Sequence, residues 1–261
     1  MTLALIALLL AADPAPAAAQ PVAAAPATAA PSGASRLEAA LQRIDAVWKV
    51  RDEPGQPLAA EEALEAAAKL APGSYQVLWR RARQLFWRAD DPELAKDEKS
   101  RLGREGWEVG DRAAAARPDR VEGWFYAAAG VGNYALGIGV VTALFQGIEG
   151  KFKERLEHAE AIDPGFEAGA IATAWGRFWY ELPWPKYDAK RSEERLRQAL
   201  AMNPKNVRAQ VYLAELFFKE GKPAEARALL DAAAAQAPGA YDAPEERRWQ
   251  ARARVLLAEK R

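Results

Sequence analysis

Five prolines set the frame into which this chain can fold. Pro72, Pro118, Pro164, Pro204 and Pro238 each have alanine five positions upstream, at Ala67, Ala113, Ala159, Ala199 and Ala233. Eight positions upstream stand Leu64, Gly110, Leu156, Leu196 and Leu230. Offsets of eight and five are three residues apart and lie on one face of a helix, which the proline then terminates. A large apolar residue followed by a small one, repeated along the chain, describes helices that each let a neighbour approach closely. The prolines are 46, 46, 40 and 34 residues apart, so the units differ in length.

Other local signals are helical throughout. "SRLE" at 35–38 reads as a capping box, and "DPEL" at 91 and "DAPE" at 242 place Asp at or near helix starts. No stretch sustains a period of two, so the chain reads as all-α, with five helix pairs and a closing helix from about Pro244 to Lys260. That last helix carries enough polar residues to end a stack whose final face would otherwise be apolar.

The segment Val207 to Pro238 holds one unit complete: Leu213, Ala214 and Phe217 on its first helix, Gly221 in the turn, and Ala226, Leu230, Ala233 and Pro238 on and after its second. It resembles the tetratricopeptide repeat (TPR), a 34-residue helix pair, with Gln210 in place of the family's first-helix tryptophan. The resemblance implies a right-handed superhelical solenoid whose first helices line a concave groove. Residues 1–19 read as a signal peptide, with the apolar run "MTLALIALLLAA" and small residues in "APAAAQ"; 20–35 as an Ala/Pro-rich linker; and 36–261 as the solenoid domain.

The 26 residues from Gly123 to Ile148 carry no charge, long enough to cross a bilayer as a helix. Their glycines, from Gly130 to Gly147, oppose an isolated helix at about 1 kcal/mol each. In the repeat register the run reads instead as the first helix of the third unit, with Trp124 at the tryptophan position, then an insertion of about 12 residues and a second helix from near Gly150. No stable membrane span is expected in the mature chain. "GVGNYA" at 130–135 fits a dinucleotide-binding turn only by chance, because a helix rather than a strand precedes it.

The span from "WFYAAAG" through "AIDP" to "WGRFWYELP" is similar to the T component associated with tripartite ATP-independent periplasmic (TRAP) transporters, over roughly residues 74–238. A similar arrangement occurs in the regulator of microtubule dynamics family. The resemblance implies a periplasmic adaptor working beside a solute-uptake system. Such components are typically lipoproteins, and this chain has no Cys to acylate. The absence of Cys also excludes disulfides, thiol nucleophiles and Cys-ligated metals.

Charge and motifs narrow the function. Lys and Arg number 36 against 36 Asp and Glu, so no excess positive charge marks a nucleic-acid partner, and "WRRARQLFWR" at 79–88 reads as a solvated helix face. His158, the single histidine, sits four residues after Glu154 and reads as a solvent-facing pair rather than a catalytic base. No catalytic, cofactor or metal motif is present, and an enzyme is not expected. Positions 5, 9 and 12 of each first helix should face the groove: Trp79, Arg83 and Phe86; Phe125 and Ala129; Thr173, Arg177 and Tyr180; Val211, Glu215 and Phe218. Trp184, in "LPWP", should stiffen a connection. The expectation is a protein partner, either a solute-binding protein or an envelope protein, or an apolar ligand with an anionic end held by Arg177. The alternative is a structural scaffold that binds extended peptides and has no small-molecule site.

Overall fold

The computed structural model describes residues 33–239 and 241–260. The signal segment and nearly all of the linker lie outside them. The described residues form twelve α-helices and one 3₁₀ turn, with no strand among them. Five antiparallel pairs follow one another: α1 (Gly33–Trp48) with α2 (Gln56–Leu70), α3 (Tyr75–Ala89) with α4 (Lys96–Ala116), α5 (Val121–Ile138) with α7 (Ile148–Ile162), α8 (Ala170–Glu181) with α9 (Ala189–Met202), and α10 (Val207–Lys219) with α11 (Pro223–Ala235). The short α6 (Val140–Phe145) interrupts the third pair, and α12 (Ala243–Glu259) follows the fifth. Each first helix packs on the next first helix, and each second helix bridges two successive first helices, which is the connectivity of a solenoid.

The proline rule has a physical cause at every unit. Ala67, Ala113, Ala159, Ala199 and Ala233 are all 0% exposed. In the first four units the residue before the proline is extended, with φ between −141° and −151°, as a following proline demands. Its N–H donates to the carbonyl of the repeated alanine (Ala71 to Ala67, Arg117 to Ala113, Asp163 to Ala159, Asn203 to Ala199), which satisfies the last turn of each helix as the chain leaves it. In the fifth unit the turn between helices is made by Gly221 at φ 72°, where Lys222 N–H reaches the Phe217 carbonyl and Gly221 N–H that of Phe218. Of the expected helix starts, Asp242 caps α12 by accepting from Glu245 N–H. The other two lie elsewhere. Ser35 already lies within helix α1, and Asp91 makes a local turn to Glu93 N–H ahead of α4.

The uncharged run is continuous helix to Ile138, and its glycines are its contact surface. Gly123, Gly130 and Gly137 of α5 face Ala114, Trp107 and Ser100 of α4, while Gly103 and Gly110 of α4 face Tyr134 and Ala127 of α5. A Cβ on any of these five glycines would collide with backbone atoms of the opposite helix. The run divides, as expected, into a first helix, a connection and a second helix, and within α5 the local propensity cost of about 1 kcal/mol per glycine is outweighed by close packing against α4. Gly139, at φ 89°, then turns the chain into α6, and Gly147, at φ 69°, starts α7, two residues before the expected position of its start. No helix among the described residues is long and apolar enough to cross a membrane.

The apolar core has three parts. The first two helices and Val77 form one cluster, α3 to α8 a second, and α8 to α12 a third. No apolar cluster among the described residues joins α12 to the first two units, yet they touch. Arg51 donates to Asp242 (2.7 Å), Arg247 forks onto Asp52 (2.6 and 2.8 Å), and Arg248 donates to the Trp87 carbonyl (2.8 Å). A ladder of alternating guanidinium and indole groups runs through this contact in the order Arg248, Trp87, Arg51, Trp48, Arg83, Trp79, Arg80, with spacings of 3.2 to 4.7 Å. The expected solvated arginine face at 79–88 is thus partly interior: Arg83 is buried and shares Asp45 with Arg80, while Arg81 and Arg88 reach outward to Glu61.

Candidate binding cavity

Because α12 returns to the first two units, the concave side of the solenoid is narrowed to a partly open cavity of about 220 Å³. One wall is apolar. It is built by the uncharged run and its partners, with Phe125, Leu136, Val140, Leu144, Phe152 and Phe178. The rest of the lining includes a polar wall with Arg51, Asp90, Glu167, Arg177, Arg208 and Glu245. Segment 131–150, read from sequence as either lining or core, is therefore lining over much of its length.

Of the residues expected to face the groove, Phe86, Phe125, Ala129, Thr173 and Arg177 line the cavity. Trp79 and Arg83 belong to the ladder behind it. Val211 is fully buried, Phe218 packs against the C-terminal cluster, Tyr180 lies under Arg177 and Lys219, and Glu215 pairs with Arg177 and Arg252. Helix α10 departs from the rule because α8 and α12 flank it and cover the stripe that an open solenoid would expose. Trp184 stands 88% exposed on the α8–α9 connection.

The arginines of the polar wall are already engaged. Arg177 meets Glu181 and Glu215, each at 2.5 Å, between the rings of Tyr180 and Tyr212. Arg208 meets Asp90 (2.6 Å) and Glu245 (2.5 Å). Arg51 is held by Asp242 and the Trp48 carbonyl. The expectation that Arg177 offers a free fork to an anion is corrected: two carboxylates occupy it. Sequence alone placed Glu181 within reach, but Glu215 is 38 residues away.

Glu167 is the feature that sequence reasoning missed. It sits in the 3₁₀ turn Phe166–Ala168 between α7 and α8, where Glu167 (φ 44°) and Ala168 (φ 50°) both take left-handed backbone that side-chain-bearing residues avoid. Phe166 anchors the turn against Phe125, with ring centres 5.1 Å apart. The Tyr126 hydroxyl donates to Glu167 Oε1 at 2.7 Å. Glu167 stays exposed where it lines the cavity, yet loss of hydration to the protein around it pushes its carboxyl above its usual range, and burial pushes the Tyr126 phenol up as well.

Other chemistry is sparse. No group of three potential metal ligands occurs among the described residues. His158 is exposed on the outer layer, stacked on Trp124 at 4.3 Å, and its Nδ1 pairs with the Glu154 backbone carbonyl rather than with the carboxylate. "GVGNYA" lies in the middle of α5, where no phosphate-binding turn exists.

Comparison with known proteins agrees with this architecture. Residues 186–255, from just before α9 into α12, match the tetratricopeptide repeat family. A crystal structure of a thermophilic TPR protein from Thermus thermophilus is similar over 87% of this chain and 100% of its own, at 20% identity and a TM-score of 0.62. The flexible tandem repeat domain of a bacterial cellulose synthase component aligns over 88% of this chain and 92% of its own at 19% identity, with a TM-score of 0.30. Yeast Tom70 aligns over 87% of this chain and 56% of its own at 13% identity, with a TM-score of 0.35. No curated protein matches. The chain is an all-helical solenoid of TPR type. Its TPR repeats are recognisable as sequence over 186–255, and the earlier units share the architecture with longer helices.

Proposed function

We propose that this protein is a non-catalytic TPR adaptor that holds a small molecule with an apolar body in its central cavity. The carrying observation is the closure by α12. An open TPR groove accepts an extended peptide, whereas here the contacts of α12 with the first unit narrow the concave face to a cavity with an apolar lining. The TPR fold also favours a protein partner, for which the outer layer remains accessible. By the sequence resemblance, that partner is a solute-binding protein of a TRAP-type uptake system, and the site of action is the periplasm after cleavage of the leader.

Native mass spectrometry of the chain purified without detergent tests the cavity. A reproducible adduct of lipid-like or organic-acid mass is expected, and a consistently empty protein would point to the structural scaffold instead. The transporter link is tested separately by co-purification with a solute-binding protein and by a mature N-terminus near Gln20. An intact leader on cytosolic protein would remove it.

A further inference from the structure

We infer that the cavity prefers a ligand whose polar end is a hydrogen-bond-donating cation of the alkylammonium class, received by Glu167. The inference rests on the reading that the cavity holds a small molecule with an apolar body, and it reverses the anionic end expected from sequence.

Each arginine of the polar wall is already neutralised by the pairs described above, and two of the three are shared between two carboxylates. A carboxylate entering the cavity would have to displace one of these partners. The acids are otherwise accounted for too: Glu246 accepts from the N–H groups of Gly239, Tyr241 and Asp242, and Glu149 pairs with Lys186. Glu167 alone among the lining carboxylates has only a phenol as its hydrogen-bond partner among the described residues. An acceptor oxygen therefore remains for a ligand.

The backbone points the same way. Two adjacent side-chain-bearing residues in left-handed conformation are costly, and Phe166, locked between Phe125 and Tyr126, holds them there. This conformation holds the Glu167 carboxylate at the Tyr126 hydroxyl, on the helix whose Phe125 lines the apolar wall and packs on Phe166. An apolar tail along α5 and α8 with an ammonium at Glu167 would satisfy both walls at once. The competing cation is Lys205, exposed on the α9–α10 connection at the cavity rim, which would serve an anionic ligand instead.

The full chain is titrated by calorimetry with three probes sharing one ten-carbon tail: decylamine, decanol and decanoate. Decylamine should bind at least about tenfold more tightly than decanoate, as expected of a hydrogen bond to a charged group. Glu167→Gln, which keeps an acceptor for Tyr126, should bring decylamine to within about twofold of decanol while leaving decanol binding and the melting temperature unchanged. Equal or tighter binding of decanoate, especially if lost in Lys205→Ala, overturns the inference, as does an unchanged amine preference in Glu167→Gln. If none of the three probes binds, the small-molecule reading of the cavity fails, and this inference with it.

Discussion

Helices α4 and α5 meet backbone to backbone through glycines, whereas α12 meets the first unit through guanidinium groups, carboxylates and indole rings. The first interface is formed by neighbours in the chain, and small residues are enough to specify it. The second joins residues as far apart as Asp52 and Arg247, and no apolar cluster spans it. Non-directional packing tolerates no added atoms, because a Cβ has nowhere to go. A polar seam tolerates atoms but depends on charge, solvent and pH. The ring should therefore be rigid at α4–α5 and conditional at the seam.

The sharpest way to break this contrast is Gly130→Val. The new side chain would drive into the Trp107 backbone, so we expect a loss of about 3 kcal/mol or more in urea unfolding, despite valine's better helix propensity. Stability equal to wild type would show that the two helices can separate freely. At the seam, Arg208→Met leaves Asp90 and Glu245 facing each other without their shared cation. A loss of about 3 kcal/mol is expected, at the low end for a broken buried pair because the Asp90 and Glu245 side chains remain partly exposed. Adding Asp90→Asn should recover part of it in a double-mutant cycle, and strictly additive losses would mean that the pair is not coupled.

Conditions should then separate the regions without mutation. Arg247 holds the Asp52 carboxyl below its usual range through a charged hydrogen bond; Asp45 is also lowered, since Arg80 and Arg83 together outweigh its burial. A depressed acid contributes stability that is present above its unfolded value of about 3.9 and is lost as pH falls through the folded value. Below about pH 4, amides of 48–52 and the start of α12 should exchange hydrogen before those of α4 and α5. Raising salt to about 1 M at neutral pH should have the same order of effect in a milder form. Simultaneous loss of protection in both regions would mean that the seam is not a separate unit. The smallest change is expected for Arg247→Ala, under about 1 kcal/mol, because this pair is partly solvated.

How much of this was legible beforehand depends on the range of the interaction. Ala67, Ala113, Ala159, Ala199 and Ala233 announced their burial through spacing alone, since a helix face and a terminating proline are local facts. The glycines of 123–137 were visible but misleading, because propensity counts their cost in isolation and their benefit exists only against Gly103, Trp107 and Gly110 of α4. Phe125 and Thr173 could be placed by periodicity. Val211 could not, because whether its stripe is open depends on where α12 lies. Nor does any motif mark Glu167, whose significance comes from a backbone conformation and from Tyr126, 41 residues earlier.

The helices, the ends that a proline terminates, the paired repeat and the absence of thiol chemistry could all be read from the order of residues, because each follows from composition or from neighbours within a turn or two. Three outcomes needed the assembled molecule: the solenoid closes on itself, its arginines are engaged by internal carboxylates, and one carboxylate is left facing the cavity. They depend on side chains brought together from tens of residues apart up to nearly the length of the described chain, and their balance is set by three-dimensional neighbours that no periodicity encodes.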